Sequence, residues 1–231
     1  RLRGALSLGA LGIAAVVQLW FFASASDSTL VPYLAVPVLY SLFFSFLAAR
    51  DTGGTVDAEA ELAVRAFSWI SIFGLFVALA QSSLAREGWP LFMALGAHGL
   101  VVVGSVLRSN WTIGLPALLG ASAFHMLIWQ LEYMKPDQER MAFAFAGLFY
   151  LFFVTLPMMV PFARWKEALL PWLTSALAGP VFFLPLYNVF KEALGESAIG
   201  LLPVGMAGVS VVSLQVVSSR FVVRASDVTS A

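Results

Sequence analysis

His98 and His125 are the side chains best suited to chemistry in this chain of 231 residues, because both fall inside long apolar stretches where an ionisable group is expensive. A facing pair of imidazoles can ligate haem or a metal, or relay a proton. Haem ligation requires the two rings at one depth. His98 lies about ten residues from one end of its apolar run and His125 about 14 residues into the next, a mismatch of about 6 Å at a helical rise of about 1.5 Å per residue. The pair therefore reads as uncharged histidines hydrogen-bonded to neighbouring helices, with proton relay or substrate contact as the functional alternative. No metal site and no cofactor is assigned.

The amides Gln18 and Gln81 are the other candidate intramembrane contacts, with Asn188 near the end of an apolar run. Hydrogen bonding between helices is the ordinary role of such groups. Prolines offer a different chemistry. Pro171, Pro180 and Pro185 punctuate one apolar run, Pro157 and Pro161 close another, and Pro32 and Pro37 fall in a third. Each removes an N–H and frees a carbonyl one turn earlier. Helix breaks at Pro157, Pro171, Pro180 and Pro185 would be suited to a transport site, although proline kinks also serve packing alone.

The acidic group Asp57, Glu59 and Glu61 could hold a cation, but it precedes an apolar run and suits the positive N-terminal end of a helix. Glu61 and Arg65 are also spaced for an i, i+4 pair. A capping, surface role is expected for this group. No serine is placed beside a histidine and an aspartate as a nucleophile would need. With no cysteine there is no thiolate, disulfide or cysteine-bound metal. Glycines such as Gly200, Gly205 and Gly208 lie within apolar runs, so they suit close helix contact and not a phosphate loop.

Elements able to position these residues follow from composition. Hydrophobic residues make up 60% of the chain and charged residues 11%, well below the roughly quarter expected of a soluble domain. Lys plus Arg and Asp plus Glu number 13 each, so nothing in the charge balance favours nucleic acid. A bilayer core about 30 Å thick takes about 20 apolar residues per helix. Such runs fall at 4–24, 29–49, 66–85, 88–107, 111–130, 141–161, 168–189 and 198–218, and no Asp, Glu, Lys or Arg lies inside any of them. The expected fold is therefore all-α, a polytopic transmembrane helix bundle of about eight spans in a single domain.

Alternating the connections places Arg1, Arg3, Arg50, Arg65, Arg108, Arg164, Lys166, Arg220 and Arg224 on one side, and only Arg86, Lys135, Arg140 and Lys191 on the other. The positive-inside rule makes the first side, and with it both ends, cytoplasmic. Trp20, Trp89, Trp111, Trp129, Trp165 and Trp172 sit near span ends, as headgroup-level indoles should, and Trp69 lies a turn deeper. Residues 50–65 form the longest polar connection. Across the membrane, Glu132 to Arg140 is a mixed-charge loop in which Pro136 and Asp137 suit a turn and helix start.

The stretches Gly147-Leu-Phe-Tyr-Leu-Phe-Phe-Val-Thr-Leu-Pro157 and Leu177-Ala-Gly-Pro-Val-Phe-Phe-Leu-Pro-Leu-Tyr187 resemble large bacterial inner-membrane proteins of unknown function with many consecutive spans. That resemblance implies a bacterial inner-membrane location and a longer parent chain, of which this is a slice. It carries over no catalytic residue. The expected partners are membrane lipid and further transmembrane helices of the parent chain or of partner subunits, with no nucleic acid. The expected role is transport or scaffolding in the cell envelope, the alternative being an integral-membrane enzyme acting on a lipid-linked substrate, with Arg164, Lys166 and the histidines as its contacts.

Overall fold

A computed structural model describes residues 39, 58–79, 88–109, 111–159 and 169–228. The expected spans at 4–24 and 29–49 lie outside these residues apart from Leu39, and so do Gln18, Gln81, Asp57, Arg164 and Lys166. Among the described residues there are six α-helices and no strand: α1 (Ala58–Leu79), α2 (Trp89–Ser109), α3 (Gly114–Glu132), α4 (Glu139–Met159), α5 (Leu169–Leu194) and α6 (Leu201–Val228). One-turn 3-10 helices at Pro136–Gln138 and Glu196–Ala198 lead into α4 and α6. Five stretches are long and apolar enough to cross a bilayer: Trp89–Arg108, Gly114–Glu132, Pro136–Pro157, Leu169–Leu194 and Glu196–Ser213. In α1 the continuous apolar portion is the shorter Val64–Val77.

The chain divides into two compact units, Arg1–Met134 and Lys135–Ala231. In the first, α2 shows why these sequences pack as they do. Leu91, Leu95, His98, Val102 and Ser105 recur at three- and four-residue steps and are all buried, which is one face of an α-helix. They meet Phe67, Ile72 and Leu75 of α1 and Leu115, Leu118 and Met126 of α3 in one core. Phe92 and Trp129 complete it in an edge-to-face pair, ring centroids 5.0 Å apart.

The outer faces are apolar too. Phe73, Met93, Leu100, Phe124 and Leu131 are all more than half exposed. A helix hydrophobic all round, with large side chains pointing out of the bundle, is suited to hydrocarbon and not to water. That pattern, together with the five long apolar helices, identifies the chain as suited to a membrane.

In the second unit, α4 packs along α5, and both touch α6. Phe153 lies 6.0 Å from Phe182 and Phe143 lies 5.7 Å from Phe190, centroid to centroid. Hydroxyls close the polar accounts. Thr155 Oγ1 donates to the Leu151 carbonyl at 2.8 Å and Thr174 Oγ1 to that of Leu170 at 2.7 Å, so neither meets lipid unsatisfied. Tyr150 Oη donates to the Met206 carbonyl at 3.0 Å, tying α4 to α6.

The connection before α4 follows the expected chemistry. Pro136 opens the 3-10 turn, and the Lys135 N–H donates to Gln138 Oε1 at 3.2 Å. After α5, Gly195 adopts φ +84° and ψ +163°, a region essentially reserved for glycine, while its N–H still reaches the Lys191 carbonyl at 3.0 Å. Lys191 and Glu196 then close the turn as an exposed ion pair at 2.9 Å. Gly195→Ala is expected to destabilise the second unit by about 1–3 kcal/mol through backbone strain alone. A denaturation midpoint indistinguishable from wild type would contradict this.

Two sequence expectations change. The helix carrying the run at 66–85 begins at Ala58, so Glu61 and Arg65 lie within its first two turns and not before it. The prolines expected to break helices do not end them. Pro180 and Pro185 lie inside the continuous α5, Pro157 lies in the last turn of α4, and Pro171 is the third residue of α5, where no intrahelical N–H bond is required. Near Pro157, Ser175 Oγ of α5 donates to the Val154 carbonyl at 2.8 Å, one residue beyond the carbonyl that this proline frees.

Candidate functional site

His125 is buried on α3, with Phe76 of α1 stacked on its ring at 3.4 Å between centroids. Its Nδ1 lies 2.7 Å from the Ala121 carbonyl one turn earlier, so the proton sits on Nδ1 and is donated within the same helix. The partner expected on a neighbouring helix is thus supplied mainly by its own, although the Ile72 carbonyl of α1 also approaches the ring. Nε2 is buried without a hydrogen bond of ordinary geometry. His98 is equally buried on the core face of α2. Among the described residues no group of three or more His, Asp or Glu side chains is gathered as a metal site.

These surroundings give His125 the character of a packed ring satisfied at Nδ1 and not at Nε2. His125→Leu removes one hydrogen bond together with the buried polar atom that lacks a partner. The change is therefore expected to shift stability by less than about 1.5 kcal/mol in either direction. A loss above about 3 kcal/mol would show that the imidazole makes a stronger interaction than this geometry provides.

A denser polar group lies at one end of the first unit, where α1 begins, α2 ends and α3 begins. Glu61 is 1% exposed. Ser105 Oγ of α2 donates to its Oε1, and Arg108 Nε donates to its Oε2 at 3.3 Å. Arg65, one turn along α1, brings its Nε to 4.0 Å from the same carboxylate. The surface role expected for Glu61 is therefore corrected. The i, i+4 spacing to Arg65 is present, but α2 supplies the closer partners and buries the carboxylate.

Aromatic rings and a glycine shape the rest of this group. The Arg65 guanidinium lies 5.1 Å from the centroid of the Trp111 ring, a cation–π contact. Trp69 meets Trp111 edge-on at 6.2 Å. Gly114 makes room for the indole, since a Cβ there would come within 3.0 Å of it.

Among the described residues, two guanidiniums and one carboxylate give the group a positive balance. Both arginines keep about a quarter of their side chains exposed. Arg65 and Arg108 converge on Glu61 at this one end of the first unit. The composition of the group was missed because charges were used to mark where spans stop, which placed Glu61 and Arg65 just outside a helix that contains them. The available signal was Glu61, Arg65 and Arg108 at one end of consecutive antiparallel helices, with Ser105 one turn inward.

No protein-family model, no curated protein and no solved structure matches the chain.

Proposed function

We propose that the chain is a multi-pass module of the bacterial inner membrane, eight spans with both ends cytoplasmic, and that it scaffolds helix assembly in the cell envelope. The observation that supports scaffolding over transport is α5. This helix, the best candidate for a broken transport element, runs unbroken from Leu169 to Leu194 and buries Ala178, Phe182, Leu186 and Val189. The outward apolar residues of both units suit contact with lipid and with further helices of the parent chain or of partner subunits. His98 and His125 then serve packing.

The alternative, an integral-membrane enzyme acting on a lipid-linked substrate, draws support from the polar group around Glu61, which gathers charge at one depth. Its carboxylate is committed to Ser105 and Arg108, however, which leaves no base poised for proton transfer.

Because the chain has no cysteine, single cysteines report water access without background. Cysteines placed at Ala178, Phe182 and His125 are expected to resist a small charged thiol reagent from both sides of the membrane. Labelling at Ala178 and Phe182 would replace scaffolding with a conducting pathway along α5. Labelling at His125 alone would favour an enzyme cleft.

A further inference from the structure

We propose that Arg65 and Arg108, set against Trp69 and Trp111, form a binding site for the phosphate group of an anionic membrane lipid. The inference rests on the membrane reading above and concerns a surface that reading does not use. Its first support is charge. Among the described residues Glu61 is the one carboxylate beside two guanidiniums, and an excess of cation at a helix end in a partly buried setting favours an anion. Its second support is hydrogen-bonding capacity. Each guanidinium carries five N–H donors, and among the described residues only Arg108 Nε donates one, to Glu61. Arg108 Nη2 and Arg65 Nε are sheltered from solvent and have no hydrogen-bond partner. Arginine forks match phosphate oxygens in geometry as well as charge.

The third support is position. Indoles favour the headgroup level of a bilayer, and Trp111 lies in the α2–α3 connection with Trp69 against it. The lipid phosphate layer lies at that same level. Glu61 takes up one donor of Arg108, Nε, and so competes with a phosphate for that guanidinium. The remaining donors are left for a ligand. Phosphate could also come from solution, and the chemistry of the site is shared by the two sources.

The test uses the whole chain in nanodiscs of phosphatidylcholine, with or without phosphatidylglycerol, and counts retained lipid by native mass spectrometry. Wild type is expected to retain phosphatidylglycerol preferentially. Arg65→Gln and Arg108→Gln should each reduce that retention about tenfold. Glu61→Gln, which breaks the same network but adds net positive charge, should retain the lipid at least as well as wild type. Equal loss in all three variants would show a purely structural network and overturn the proposal, as would no preference in wild type. Thermal stabilisation by inorganic phosphate in phosphatidylcholine nanodiscs, without lipid preference, would overturn the lipid as the source. Failure of wild type to enter nanodiscs of either composition would instead strike the membrane reading.

Discussion

Replacing Glu61 by alanine is expected to lower the stability of the first helical unit by about 3 kcal/mol, the lower end of the range for breaking a buried ion pair. The lower end applies because both arginines remain about a quarter exposed, so water screens part of the charge left behind. The substitution removes the acceptor for Ser105 and for Arg108 at once. It leaves two guanidiniums side by side with no anion between them. Reversible unfolding in mixed micelles measures the loss. Adding Arg108→Met to Glu61→Ala should recover part of it, because an apolar side chain in the same volume removes one of the stranded charges. An unchanged midpoint for Glu61→Ala would mean that the carboxylate is solvated and that the burial described for it is wrong.

Trp129→Ala is the second large effect, about 3–5 kcal/mol. Trp129 is fully buried and fills the space between α2 and α3 against Phe92. In lipid no hydrophobic transfer drives helices together, so close packing of this kind carries their association. Leu131 is the matching control. It lies two residues further along α3 and is 68% exposed, so its replacement by alanine should change stability by less than about 0.5 kcal/mol. Similar losses for the two would contradict the division of α3 into a protein-facing and an outward-facing side.

Much of the helical architecture was legible in the sequence because the hydrocarbon constraint is simple. A span of about 20 apolar residues between charges leaves little choice of structure, and the expected run at 111–130 lies close to the helix observed at Gly114–Glu132. The Pro136 helix start was legible for a similar reason, since proline fixes its own φ and lacks the N–H that a first turn does not need. Helix ends were less so. Using charge to mark a boundary fails where partners from another helix share the burial, and Ser105 and Arg108 share that of Glu61. No local pattern around Glu61 encodes a contact with α2.

The prolines, which suit either a break or a packing kink, are ambiguous in sequence for a related reason. Pro180 and Pro185 carry the local signal of a break, but a single missing N–H does not end a helix held along its length by a neighbour. His125 was recognised as an intramembrane polar residue, while its partner was not. The Ala121 carbonyl, one turn back on the same helix, meets the need that a second helix was expected to meet. The proline case turns on packing that sequence spacing alone does not specify, whereas the histidine's partner lies one turn away on its own helix.

The proposed eight-span arrangement is tested most directly by the sidedness of residues 57 and 137. Single cysteines replacing Asp57 and Asp137 are separated by α1, α2 and α3, three crossings if each helix spans. On the proposed orientation, an impermeant thiol reagent added to the non-cytoplasmic side labels the cysteine at 137 and spares that at 57, with the reverse pattern in inverted vesicles. Labelling of both from one side would mean that α1, whose apolar portion covers only Val64–Val77, does not cross. It would contradict the eight-span arrangement.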